Sequence, residues 1–220
     1  MKEVVKKIFP EFSKSFEGYV QWMYLDVKGL ATCGVGILID PVSLAVNLPF
    51  TKKDGTRASK TEIIEEWSRI KQHTELAKLG HKAAIKYCDL RLSNEAIDVL
   101  VINKLEQNEK YLIEHHFPDF ENWPADAQLA VLSMAWALGS NFPATWKKLK
   151  KSCLAQNWKE AALQCHINEV GNAGVKPRNA ANVKLFNSAA EIKNTDIDDI
   201  EKDRIMKLVA LTMAQSLQDI

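Results

Sequence analysis

Two carboxyls and a hydroxyl in the first 32 residues are of the types that acid–base hydrolysis could use, at a spacing that a helix end followed by a hairpin could bring together. Glu17, Asp26 and Thr32 stand nine and six residues apart, within Phe16-Glu17-Gly18, Tyr24-Leu25-Asp26 and Gly29-Leu30-Ala31-Thr32-Cys33-Gly34-Val35-Gly36. Cleaving a glycosidic bond takes a protonated carboxyl that donates to the leaving oxygen. It also takes a second polar group that activates water or stabilises the oxocarbenium-like transition state. A lone glutamate near a helix end is ordinarily a solvated cap or an ion-pair partner; the spacing to Asp26 and Thr32 is what singles out Glu17.

The elements around them are suited to gather the three. Val4, Val5, Ile8, Phe12 and Phe16 recur at helical spacing, so residues 3–17 read as a short amphipathic helix, interrupted or restarted near Pro10, with Glu17 at its C-terminal edge. From Tyr19 to Leu38 aromatic and β-branched residues alternate with Gly29, Gly34 and Gly36, which predicts a small antiparallel hairpin or three-stranded sheet carrying Asp26 and Thr32. Residues 40–58, with two prolines and the turn signal Lys53-Asp54-Gly55, read as an ordered loop or insertion outside the core. A capped helix follows from Ser59 to Ile70 with Ile63, Ile64, Trp67 and Ile70 on one face, and Leu92-Ser93-Asn94-Glu95-Ala96 opens a long helix through Leu112 that could bridge two lobes. Beyond Pro124 the pattern is helical at 126–138, 143–156 and 158–166, and residues 195–218 form a last amphipathic stretch whose acidic cluster suits a helix N-terminus.

Composition limits the alternatives. A chain of 220 residues with 46% apolar and 26% charged side chains can bury a core and contains no low-complexity tract, so one domain, or two lobes sharing a helix, is expected. The net charge of +1 conceals seven acidic and four basic groups within 191–220, leaving a mildly basic body; this is too sparse a Lys/Arg pattern for nucleic acid. Cys33, Cys88, Cys153 and Cys165 lack CxxC spacing and are expected as free buried thiols, and neither His115-His116 nor Cys165-His166 has metal-ligand spacing. No metal or cofactor is expected. Gly34 and Gly36 lack the third glycine and following helix of a dinucleotide fingerprint. The opening MKEVVKKIFPEF has no secretory apolar run, and no window reaches the roughly 18 apolar residues of a membrane span.

The Glu-x8-Asp-x5-Thr arrangement leading into a Gly-x-Gly strand resembles the phage-type lysozymes, glycoside hydrolase family 24. The likeness continues in Leu92-Ser93-x-x-Ala96, in Met134-Ala135-Trp136-Ala137-Leu138-Gly139, in Trp158-x-x-Ala161-Ala162 and in Pro177-Arg178 through Leu185-Phe186, covering roughly 16–38 and 90–190. The family's histidine after the Gly-x-Gly strand is Ile37 here, Asn179 and Asn182 stand where charge is frequent, and 39–89 lies outside the likeness.

The resemblance implies a mainly helical α+β, lysozyme-like two-lobed fold. The expected organisation is an N-terminal lobe over 1–122 with the small sheet, the inserted region 39–89 and a linking helix, then a helical C-terminal lobe over 123–190, and a packing helix over 191–220. It implies a muramidase cleaving the β-1,4 bond between N-acetylmuramic acid and N-acetylglucosamine in peptidoglycan. Glu17 would be general acid, Asp26 would activate water or stabilise positive charge, and Thr32 would hold the water. Inversion is the implied outcome, for which the two carboxyl groups should lie about 6.5–9.5 Å apart. Arg178 would be a charge partner of Glu17, or a purely structural ion pair; an arginine alone would lower the Glu17 pKa, so burial would have to compensate. Trp136 and Leu138 would line the sugar cleft, or else pack the core. A lytic transglycosylase giving anhydro-muropeptides and a non-catalytic peptidoglycan-binding module are the competing readings. The partner expected is the glycan strand, acted on in the cell wall after delivery by a holin or a secretion system. The long loop Leu48–Lys60 and the closing Asn172–Phe186 segment resemble lysozyme-like domains of antibacterial effectors, including those delivered by type VI secretion, as much as phage endolysins, and an immunity protein or secretion component would then be the protein partner. A monomer is expected.

Overall fold

The computed structural model describes residues 1–170 and 174–191, so the amphipathic stretch read at 195–218 lies outside the described residues. The protein is mainly helical α+β, with a three-stranded antiparallel sheet near the N-terminus. In chain order come α1 (Glu3–Glu17), β1 (Val20–Leu25), β2 (Ala31–Gly34), β3 (Ile37–Leu38), the single turn α2 (Val42–Ala45), α3 (Lys60–Gln72), the short α4 (Leu76–Leu79) and α5 (His81–Ala84), α6 (Asn94–His115), α7 (Ala125–Leu138), α8 (Lys147–Leu154), α9 (Trp158–Gln164) and α10 (Val175–Glu191). No helix among the described residues is long and apolar enough to cross a membrane.

The described residues divide into two compact units, one of residues 17–101 and one of residues 1–16 with 102–170 and 174–191. The division falls after Phe16 and between Val101 and Ile102, inside α6. Residues 1–16 and 102–122 thus group with the C-terminal helices, where the sequence alone places them in the N-terminal lobe.

In the unit of residues 17–101, β1 pairs with β2 at Tyr24↔Thr32 and Leu25↔Ala31, and β2 with β3 at Thr32↔Leu38 and Cys33↔Ile37. Met23 and Leu25 are buried, whereas Trp22 and Tyr24 are only half-buried, the period-two alternation of a sheet with one face on the core. Residues 40–58 do more than loop. Ala45 and Phe50 are fully buried, and Thr51 bridges both Arg57 and Arg91, so the segment contributes core that its turn residues conceal. Helix α3 starts at the expected cap: the Ser59 hydroxyl accepts from the Glu62 N–H while the Glu62 carboxylate accepts from the Ser59 N–H. Its inner face differs from expectation. Ile64 is exposed and Glu66 takes the inward position, because its Oε2 accepts from the N–H groups of Asp89 (2.6 Å) and Leu90 (3.0 Å) and so satisfies a buried turn.

In the other unit α1 runs through Pro10 without a break. Proline deletes one helical bond, but Val5, Phe9 and Phe12 bury the same face on either side of it, and that packing outweighs the loss. The Lys2 N–H donates to Gln128 Oε1 (2.8 Å), while Gln128 Nε2 donates to the Phe120 carbonyl (3.0 Å), tying the start of α1 to α7. Every residue of α7 from Ala125 to Ala135 is buried, as befits a helix with apolar residues all round. Trp123 anchors the aromatic core, 5.1 Å from Trp158 and 5.0 Å from Phe117, and Trp158 stacks on Phe186. The stretch read as one helix at 143–156 is a 3₁₀ turn at Phe142–Ala144 followed by α8, and the helix read to 166 stops at Gln164.

Candidate active site

Glu17 is the last residue of α1, and Gly18 ends the helix at φ +73°, a left-handed conformation that glycine adopts without strain. The half-buried Glu17 side chain therefore lies at the carbonyl end of a helix, where negative charge is disfavoured.

Asp26 lies one residue beyond β1, in the hairpin turn rather than on the strand as expected. It directs that turn. Its Oδ1 accepts from the N–H of Lys28 (2.8 Å) and of Leu30 (2.9 Å), while its own N–H donates to the Leu30 carbonyl (2.9 Å). This is the aspartate turn cap, in which the carboxylate stands in for a backbone acceptor. Among the described residues Oδ2 accepts no hydrogen bond, so half of the carboxylate is left for other work.

Thr32 is on β2 and only 4% exposed; its hydroxyl donates to the Leu30 carbonyl (3.1 Å). With the proton so committed, the oxygen can serve as an acceptor. Asp26 faces Leu30 across the hairpin, so Thr32, two residues further along β2, is its diagonal neighbour on the same face, with Cβ atoms under about 8 Å apart.

Tyr24 joins these groups, and it was not singled out from sequence. It is the direct cross-strand partner of Thr32 and precedes Asp26 by two, so all three share one face. Burial pushes the Tyr24 phenol well above its ordinary value, and the charges of Glu17, Cys33 and Asp26 push it further. Both candidate carboxylates thus act on one hydroxyl. The signal that could have found Tyr24 is the period-two spacing to Asp26 in a predicted strand.

The region outside the family likeness supports this turn. Lys71 on α3 donates to the Gly29 carbonyl (2.7 Å) and to Asp40 Oδ2 (2.7 Å), and that same oxygen accepts from the Ala31 N–H (3.1 Å). The bond from Lys71 holds the Asp40 carboxyl below the usual range, helped by the one from Ala31 and opposed by burial. Trp22 Nε1 donates to the His81 carbonyl (2.9 Å), and the His81 ring meets Tyr24 edge-on at 5.9 Å, so α5 backs the same strand. Nothing local in the sequence joins Asp40 to Lys71 or His81 to Tyr24.

The remaining candidates belong to the other unit. Arg178, on α10, is 2% exposed; its Nη1 donates to the Ser133 carbonyl (2.9 Å) and hydroxyl (3.1 Å), and its guanidinium lies 4.8 Å from the centre of the Phe16 ring. Phe16 is the residue before Glu17. Trp136 is half-buried on α7, 5.2 Å from Phe9, so part of its surface is core packing. Leu138 ends α7, 38% exposed. The four cysteines are free and buried, as expected. No cluster of three or more His, Cys, Asp or Glu suited to a metal occurs among the described residues.

No family model matches the chain, and no curated protein matches it.

Proposed function

We propose that this protein is a peptidoglycan hydrolase of the muramidase type, with the lysozyme-like, two-lobed form of an α+β fold. The observation that supports the reading is that Glu17 and Asp26 both add to the burial-driven rise of the Tyr24 phenol pKa, and that the cross-strand partner of Tyr24 is Thr32. An acid, a carboxylate and a hydroxyl in one neighbourhood would suit glycosidic hydrolysis.

In this reading the protonated Glu17 carboxyl gives its proton to the glycosidic oxygen as the bond to the anomeric carbon breaks. A water between Asp26 and Thr32 donates one hydrogen to Asp26 Oδ2 and the other to Thr32 Oγ1. Its lone pair is then directed to the anomeric carbon, and its proton passes to Asp26 as the new bond forms. The products are a free hydroxyl on one fragment and a reducing end on the other, with inversion at carbon. Arg178 would restrain the helix end through Phe16, and Trp136 and Leu138 would meet the sugar chain. The biological outcome is lysis of bacterial cells, whether the protein is released from a phage-infected host or delivered as a type VI effector.

The test is mass spectrometry of soluble fragments from purified peptidoglycan digested by the wild-type protein and by Glu17→Gln. Reducing muropeptides from the wild type alone support a muramidase acting through Glu17. Anhydro-muropeptides, lighter by one water, would replace it with a lytic transglycosylase. Fragments from neither would favour a non-catalytic binding module.

A further inference from the structure

On the face of the hairpin that carries Asp26 and Thr32, the side-chain groups described so far are acceptors: Asp26 presents Oδ2, and Thr32 has given its proton to Leu30. Glu17, at the end of α1, has one proton, which the proposed reaction commits to the glycosidic oxygen. A saccharide presents acceptors as well as donors, and a site of acceptors alone would leave the former unmatched.

Tyr24 supplies what is missing. Its hydroxyl has no hydrogen-bond partner among the described residues, although the side chain is half-buried. The ring is held against His81, and His81 is pinned by the bond from Trp22, whose ring in turn lies 5.5 Å from the Arg91 guanidinium. The ring is therefore placed before any ligand arrives, and only the hydroxyl rotor has to be ordered, which lowers the entropic cost of using it. Burial beside two carboxylates also keeps it protonated, hence a donor, throughout the neutral range.

We infer that Tyr24 is a saccharide-binding residue of this site, its hydroxyl donating to an acceptor oxygen of the sugar unit seated beside the scissile bond. The inference rests on the glycosidase reading for the identity of the ligand as a sugar. The oxygen is either an acetamido carbonyl or a ring hydroxyl, and the two share the chemistry of a neutral acceptor. A third source, the muramyl carboxylate, is disfavoured because the Asp26 carboxylate shares the face that carries the phenol.

The experiment is calorimetric titration of the soluble N-acetylglucosamine hexamer into Glu17→Gln and into Glu17→Gln with Tyr24→Phe. Loss of one donor should weaken binding about tenfold. The thermal midpoint should stay within about 2 °C, since the hydroxyl supports no bond inside the protein. The de-N-acetylated hexamer assigns the oxygen: a retained tenfold difference points to a ring hydroxyl, and its disappearance to the acetamido carbonyl. Equal affinities, absence of binding by the Glu17→Gln parent, or a matching fall in thermal midpoint would each overturn the inference. The hydrolase reading fails separately. If the hexamer binds through Tyr24 but the wild type releases no fragments from peptidoglycan, catalysis is refuted and the binding role stands.

Discussion

Replacing Lys71 by Met removes the ammonium that clamps the hairpin of the candidate site, and with it the cation's approach to the Trp67 ring at 5.7 Å, while keeping an unbranched side chain of similar length. Two bonds are lost, to Gly29 and to Asp40. In a dry site each charge-assisted bond would be worth about 1.5–3 kcal/mol. Lys71 is 30% and Asp40 16% exposed, so solvent screening brings the ion pair toward about 1 kcal/mol. The bond to the Gly29 carbonyl adds about 0.5–1 kcal/mol, for a loss of about 1.5–2 kcal/mol. In a chain of this length that lowers the thermal midpoint by about 3–8 °C. The pH dependence has a definite sign. The folded-state pKa of Asp40 is depressed, so its contribution is present above the unfolded value of about 3.9 and is lost as pH falls through the lower folded value. The difference between wild type and Lys71→Met should therefore be full at pH 7 and shrink below about pH 4. Circular-dichroism melts of Lys71→Met, Asp40→Asn and the double variant at pH 7 and pH 3.5 measure both effects, and the cycle isolates the pair. Single variants within about 0.3 kcal/mol of wild type, or a difference that grows on acidification, would refute the clamp.

Asp26→Asn separates chemistry from folding. Asparagine keeps an Oδ1 that can accept from Lys28 and Leu30, so the thermal midpoint should change by under about 2 °C, while hydrolysis of peptidoglycan should fall at least about a hundredfold with the loss of the base; a variant that stays active removes Asp26 from the mechanism. Burial pushes the thiols of Cys33 and Cys88 to about 12 and that of Cys165 to about 11, and it pushes Cys153 up as well. A thiol-specific chromogenic reagent at pH 8 should therefore find almost no reactive cysteine in the native protein and all four after denaturation. Rapid reaction in the native state would contradict that burial.

The region 39–89 shows how little its apparent irregularity says about its role. The prolines and the Lys53-Asp54-Gly55 turn of residues 40–58 read as a loop outside the core, yet Ala45 and Phe50 are buried there, and Asp40 with Lys71 of α3 holds the turn that carries Asp26. The segment is part of the scaffold of the candidate site.

What the amino-acid order by itself determined is local. Helical spacing placed α1, α3, α6 and α7. Ser59 and Glu62 marked a capping box, the glycines and β-branched residues between 19 and 38 marked the sheet, and Glu17, Asp26 and Thr32 stood out by type and spacing. Each of these rests on interactions within a few residues, which a pattern can register. Tertiary structure decided the rest. Pro10 stays inside a helix because Val5, Phe9 and Phe12 bury one face across it, and Glu66 turns inward because two N–H groups 23 and 24 residues away need an acceptor. Arg178 meets Ser133 across 45 residues, and Lys71 meets Asp40 across 31. Tyr24 becomes a member of the site through its register with Thr32 and its contact with His81. Such pairings carry no local signature, since their energy comes from satisfying buried polar groups and apolar faces that only the folded chain brings within reach.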